Sequence, residues 1–305
     1  MALSTSFTPL FFLPLCFFLP LLPLLGNPFY WVGALLPTTL FLLLYGGLFL
    51  PKSAPLHRTD PPPFTLMTFN MLGTSRKAET AQVIRENGLP DIVVLQEMTP
   101  MLRRLVLQEV GDEYPYTAFD VTLNNRGLGV LSRFPIHGLP TDMLVELNCR
   151  LYQVDVTPSE PFLLYNCHPR STNIFYFFND GVPFDRQVQE SFTARRLWSE
   201  RLAAEVAQQT LPVLVVGDFN TTDQSDAYHQ LRSQLLDAHR SIGWSFGHTF
   251  PAETGWFRRI PIVARQVRID MVLYTPTFVA LQSRVSAAHG ESDHLPLVVR
   301  MGWRQ

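Results

Sequence analysis

No Asp, Glu, Lys or Arg occurs before Lys52 in this chain of 305 residues. So long an uncharged opening has few soluble solutions. It holds two apolar runs, Leu10 to Gly26 and Pro28 to Leu50. A helix needs roughly 20 apolar residues to cross the hydrocarbon core. The second run meets that length, and its Tyr30, Trp31 and Tyr45 suit a membrane interface. The first is marginal, broken by Pro14, Pro20 and Pro23. Residues 1–50 are therefore expected to form a membrane anchor of two transmembrane helices. One span, or a cleaved leader, are the alternatives, although a leader normally starts with a positive region that is missing here. Lys52, His57 and Arg58 follow the second run, which by the positive-inside rule points to a cytoplasmic remainder.

Residues 51–63 contain five prolines and read as a stiff linker. From residue 64 to 305 the pattern changes to short apolar runs alternating with amphipathic stretches, and no second linker divides them. Phe64–Asn70 and Leu151–Val156 read as strands, as do Asp91–Gln96 and Val213–Val216, which are apolar enough to be buried on both faces. Gly127–Ser132, Phe162–Asn166, Arg268–Tyr274 and Leu297–Met301 read the same way. Ser75–Asn87, Leu102–Val110 and Phe184–Gln209 read as helices. Early alternation followed by a mid-chain cluster of strands predicts an α/β domain with mixed sheets covered by helices. From Asp60 onward, 22 Lys and Arg face 26 Asp and Glu, a net of −4. That mild acidity counts against general affinity for nucleic acid, which rests on phosphate contacts by basic side chains.

Cys149 and Cys167 lie on two extended segments joined by the turn-like Thr157–Glu160. A hairpin there sets them nearly opposite one another, and a one-residue register change decides whether they meet. A disulfide implies an oxidising compartment; two small buried hydrophobes are the plainer reading.

The polar residues that carry chemistry share a position at the end of an apolar strand. Asn70 ends FTLMTFN, Glu97 follows DIVVLQ, and His168 follows FLLYNC. Asp218 and Asn220 sit in Gly217-Asp218-Phe219-Asn220 after PVLVV. Strand ends of layered α/β folds converge on a crevice where ligands bind. Ser292-Asp293-His294 places a carboxylate and an imidazole side by side just before another apolar strand.

The order TFN, LQE, GDFN, RID and SDH resembles the endonuclease/exonuclease/phosphatase superfamily, over roughly Phe64 to Val299. The resemblance implies a four-layer sandwich of two mixed β-sheets flanked by helices, DNase I-like, here preceded by transmembrane helices. It implies a Mg²⁺-dependent hydrolase of phosphate esters, with Mn²⁺ as a substitute ion. Glu97 would be the main metal ligand, with Asn70 and Asp293 close by; hard oxygens suit Mg²⁺. Asp218 would orient or deprotonate the attacking water, Asn220 would donate to the scissile phosphate, and His294 would act as base or phosphate contact. Asp270 would fix the tautomer of His294. His168, in Asn166-Cys167-His168-Pro169-Arg170, resembles DNase I-like and sphingomyelinase-like members, and Arg170 adds a candidate phosphate contact.

The implied setting is a multi-pass protein of a bacterial-type plasma membrane, bound to the bilayer through its anchor. A lipid headgroup or small phosphoester is the first expectation for substrate. A nuclease is the second, and a non-catalytic tethered binding protein of the same fold the third. The aromatic run Thr172–Pro183 is a candidate apolar lip, and Trp244, His248 and Trp256 are candidate borders of the cleft.

Overall fold

The computed structural model describes residues 8–139, 142–171, 183–253, 255–257, 260–262 and 266–305. Two mixed sheets face each other. The first contains β1 (His57–Arg58), β2 (Phe64–Asn70), β3 (Ile92–Gln96), β4 (Tyr116–Asp120), β5 (Leu128–Ser132), β14 (Phe278–Val285) and β15 (Leu297–Arg304). Its order is β1-β15-β2-β3-β5-β4, with β14 along the other side of β15. The second contains β6 (Ile136–Gly138), β7 (Cys149–Asp155), β8 (Pro161–Cys167), β9 (Val213–Asp218), β10 (Leu236–Asp237) and β13 (Asp270–Tyr274), in the order β10-β13-β9-β8-β7-β6. A short ribbon pairs β11 (Gly255–Phe257) with β12 (Ile260–Ile262).

Three apolar layers glue these sheets and their helices. Between the sheets, Phe64, Leu66, Val94 and Val299 meet Phe162, Leu164, Val216 and Val272. Phe162 stacks on Phe64 with ring centroids 5.5 Å apart. Burying each such side chain stabilises the fold by about 1.5–3 kcal/mol. On the outer face of the first sheet, Phe69 and Leu95 pack against Ile84 of α3 (Glu79–Glu86) and Leu102 and Val106 of α4 (Pro100–Val110). On the outer face of the second, Tyr165 and Val215 pack against α5 (Asp142–Glu146), α6 (Phe184–Val206) and α7 (Asp226–Arg232). The result is the four-layer sandwich that the motif order implied.

Local chemistry sets the helix ends. Thr99 accepts a hydrogen bond from Leu102 N, with Pro100 at the first helical position of α4. Helix α3 starts at Glu79 rather than at Ser75, because Ser75 Oγ is engaged with Thr80 Oγ1 and Glu291. Asp237 caps a last helix, α8 (Ala238–Ile242).

Upstream, residues 8–49 form a helical hairpin. Its helices α1 (Leu13–Leu25) and α2 (Pro28–Tyr45) are each flanked by a 3-10 turn. The segments Thr8–Leu25 and Pro28–Phe49 are long and apolar enough to cross a membrane, and only 6% of either is buried against protein. The proline-rich stretch after them is not a free spacer: His57 and Arg58 pair with Arg304 and Trp303 of β15.

Cys149 and Cys167 are register partners across β7 and β8, and they form a disulfide. This corrects the reading of two unlinked hydrophobes. The hairpin register that puts the two cysteines directly opposite could not be read to one residue from the sequence.

Candidate active site

Parallel pairing explains why the expected polar residues converge. Strands β2 and β3 run parallel, as do β8 and β9, so Asn70, Glu97, His168 and Asp218 emerge at the same edge. Antiparallel β13 opens at that edge, with Asp270 opposite Asp218, and the turn before β15 delivers Asp293 and His294 there. One close approach and two strained residues are built in. A Cβ on Gly217, at φ +145°, would lie 1.9 Å from the Cys167 carbonyl oxygen, so β9 can approach β8 only with glycine there. Glu97 and Asn220 adopt left-handed backbone at φ 59° and 49°. Such strain in non-glycine residues clusters at functional sites.

Asp218 is the hub. Its Oδ2 accepts from Asn70 Nδ2 at 3.0 Å and lies 3.5 Å from His168 Nε2 and 3.7 Å from His294 Nε2. Its Oδ1 accepts from Asn220 N at 2.8 Å. His294 Nδ1 lies 2.9 Å from Asp270 Oδ2. Asn70 Nδ2 also reaches Glu97 Oε1 at 3.3 Å, while Gly73 N donates to Glu97 Oε2 at 2.8 Å. Ser292 Oγ donates to the Asn70 carbonyl at 2.6 Å and so holds the Asp293–His294 turn beside that strand end.

Burial and charge set the protonation. Burial opposes charge on His294, but the carboxylates of Asp270 and Asp218 outweigh it and push the imidazole up to about 10. Burial also opposes charge on Asp218, yet His294 and His168 hold its carboxyl down at about 2. Burial raises Asp270 despite its imidazole partner. Both members of the Asp270–His294 pair are thus pushed toward holding the proton. It resides on His294, because Nε2 of that ring faces a second carboxylate. His168 is raised as well: burial opposes its charge, and Asp218 and Glu97 outweigh that.

One expected residue stands apart: Arg170 is exposed rather than in the buried cluster. Asn220 stays on Asp218 through its backbone N–H, and its side-chain Nδ2 donates to the Pro169 carbonyl at 3.0 Å and reaches Asp218 Oδ2 at 3.4 Å. Its own carbonyl accepts from Arg195, a buried arginine of α6 that carries no motif and was not anticipated. Gln96 and Asn166 also went unanticipated as a pair; they join the two sheets behind the site at 3.0 Å. Trp244 and His248 both pack against other aromatic rings. Trp244 packs edge-on to Phe49 of the hairpin, and His248 stacks on Phe246. Residues 172–182 of the aromatic run, and the side chain of Trp256, lie outside the described residues.

The Endonuclease/Exonuclease/phosphatase family model matches residues 67–294. The chain belongs to that family. No curated protein matches it. Among solved structures, an endonuclease/exonuclease/phosphatase from Bacteroides vulgatus is similar at 18% identity and a TM-score of 0.57, over 79% of this chain and 99% of that one. Danio rerio TDP2, complexed with single-strand DNA product, is similar at 16% identity and 0.58, again over 79% and 99%. A functionally unknown conserved protein from Enterococcus faecalis is similar at 15% and 0.55, over 79% and 100%. At these identities the likeness is one of fold. Members of the family typically hydrolyse phosphate esters and commonly use divalent metals.

Proposed function

We propose that this protein is a membrane-tethered, divalent-metal-dependent hydrolase that acts on a phosphate ester of a lipid headgroup or a small molecule. The observation that carries the reading is Asp218 Oδ2, a buried carboxylate oxygen facing Asn70, His168 and His294 at once. Among the described residues, Asp218, Asp270 and His294 offer ligand atoms within 4.8 Å of one another. That trio already shares a proton, which a metal ion would have to displace.

Glu97 is the better ligand. It is partly exposed, its Oε1 is held only loosely, by Asn70 Nδ2 at 3.3 Å and His168 Nε2 at 3.9 Å, and Asp293 on the adjoining turn is also partly exposed. Partly hydrated carboxylate oxygens suit Mg²⁺ or Mn²⁺. Asn70 contributes by orientation: its amide donors tie Glu97 to Asp218, and its oxygen accepts from Leu72 N. The bound ion would neutralise charge on the phosphoryl oxygens.

The remaining roles follow from charge state. Asp218, held anionic, accepts from the attacking water and aims it at phosphorus. Protonated His294, held by Asp270, presents Nε2–H to the charge that develops on the phosphoryl group. His168 supplies a second imidazole for the phosphate or the departing oxygen. Asn220 and Arg170 remain candidate phosphate contacts on the same rim.

The full chain in detergent, assayed with Mg²⁺ on bis(p-nitrophenyl) phosphate, phospholipid vesicles and plasmid DNA, tests this. We expect turnover of the generic diester, its loss on chelation, and a fall of about a thousandfold in a folded His294→Ala variant. A folded His294→Ala protein as active as wild type would sink the assignment. Nicking of plasmid alone would replace it with a nuclease, the reading that the likeness to TDP2 favours and the net charge of −4 from Asp60 onward opposes.

The Cys149–Cys167 disulfide supports a catalytic domain on the oxidising side of the membrane. The opposing positive-inside signal weakens, because Lys52 Nζ donates to the carbonyls of Arg240 and Gly243 instead of standing free. Finding both cysteines as free thiols in acid-quenched cells would reverse the side.

A further inference from the structure

The segment Gly243–Pro251 joins two parts of the molecule, the hairpin up to Phe49 and the pair that starts at Asp270, that lie more than 220 residues apart in sequence. At one end it grips the hairpin. Ser245 N donates to the Leu48 carbonyl at 2.8 Å, and Trp244 Nε1 to the Phe49 carbonyl at 3.3 Å. The Phe246 ring lies 5.3 Å from Tyr45, 5.4 Å from Phe49 and 6.5 Å from Phe41. At the other end it holds the catalytic pair. Thr249 Oγ1 accepts from Ile269 N and Asp270 N, both at 3.3 Å. The Thr249 carbonyl accepts from Leu295 N at 2.8 Å, and the Phe250 ring packs 4.9 Å from that of His294. Only three residues separate Phe246 from Phe250, so their Cα atoms are within about 14 Å.

The path between the two ends is stiff. It wraps the His239 ring so tightly that a Cβ on Gly243 or Gly247 would lie 2.3 or 2.2 Å from it. His239 Nε2 faces the Ser245 carbonyl at 3.3 Å. One flank borders a hollow of about 440 Å³, shared with Ser283 and Arg284. Protein therefore does not pack that flank fully, and the hairpin braces the other.

We propose that Gly243–Pro251 is a strap through which the hairpin positions the Asp270–His294 pair, with Phe246 and Thr249 as positioning residues. The hairpin is then part of the catalytic unit and not only a tether. The idea relies on the site proposed above for its kinetic consequence, but its structural core does not. A displaced catalytic group costs up to about a hundredfold in rate.

The test uses the full chain in detergent with Phe49→Ala, a change on the hairpin outside the catalytic domain, Phe246→Ala, and the double variant. Hydrogen exchange should quicken at 267–270 and 293–295 in both Phe49→Ala and Phe246→Ala while the amides of β2 and β8 stay protected. On a soluble phosphodiester, kcat should fall about tenfold in either single variant with KM unchanged, and the double should be no worse than the worse single. Phe246→Tyr should restore both readouts.

Unchanged exchange at 267–270 and 293–295 in Phe49→Ala would overturn the strap, and so would a kcat within twofold of wild type in both single variants. Wild-type protein with no turnover of any phosphoester would refute the proposed function instead, and the exchange result would still decide on the strap.

Discussion

Two largely buried clusters of ionisable groups meet in this fold two residues apart, at Arg268 and Asp270, and their charges are balanced differently. In the first, Arg268 bonds Asp237 at 2.7 Å and Asp223 at 3.1 Å, and Arg240 Nε bonds Asp223 at 2.6 Å. Two guanidiniums meet two carboxylates, and the set is neutral. In the second, the carboxylates of Glu97, Asp218, Asp270 and Asp293 gather around the two imidazoles of His168 and His294. Even with both rings protonated the set is negative. A neutral buried cluster can hold a fold in register by itself, since each charge has its partner. A negative one has unspent attraction for a cation and for hydrogen-bond donors, which is what a phosphate-ester site requires.

The largest effect should come from reducing the negative excess. Glu97→Gln should cut turnover of a generic phosphodiester by about a thousandfold, a loss of the size expected when a group that stabilises transition-state charge is removed. The same variant should lose the Mg²⁺-induced rise in melting temperature. Its metal-free melting temperature should equal or exceed wild type, because a repelling carboxylate has gone. A metal-dependent thermal shift of wild-type size in Glu97→Gln would remove Glu97 from the ion site.

Breaking the balanced cluster should do the reverse. Asp237→Asn leaves the fully buried Arg268 sharing Asp223 with Arg240. Removing one partner of a buried pair costs about 3–5 kcal/mol. Denaturant unfolding should show that loss, while kcat per folded molecule stays within a few-fold of wild type. Loss of kcat without loss of stability would make the two clusters one functional unit.

What the sequence revealed tracks how local each signal was. Val213–Asp218 is legible because a strand buried on both faces reads as an unbroken apolar run, and the acid that ends it stands out. Strand β14 escaped notice because a bulge between Ala280 and Gln282 interrupts its alternation. The balanced cluster is spread over Asp223, Asp237, Arg240 and Arg268, with no spacing rule to connect them. Arg195 sits mid-helix and acquires meaning only when α6 comes to lie behind Asn220. Thr249 and Phe246 lie in a stretch whose tryptophan and histidine invite a place in the cleft, yet Trp244 and Phe246 meet the hairpin and Thr249 holds Asp270. The motifs supplied the site, and the contacts that hold it still came from long-range packing.

The smallest effect contrasts two histidines of similar burial. His294 lies between carboxylates and is pushed up to about 10. His239 is buried and lies near Arg268, and it is pushed down to about 4. Burial is the larger cause for His239, and the guanidinium adds to it. An unfolded chain would protonate His239 near 6.5, while the folded protein refuses that proton until about 4. Stability should therefore fall as pH drops through that window, by up to about 3 kcal/mol at roughly 1.4 kcal/mol per tenfold difference in proton affinity. Denaturation measured between pH 7 and 4 should show a gentler slope in His239→Gln than in wild type, with the remaining slope set by the other titrating groups, His168 and the carboxylates among them. Equal slopes would mean that His239 protonates as easily folded as unfolded. The ring would then be open to water, and the strap wrapped around it would be looser than Gly243 and Gly247 imply.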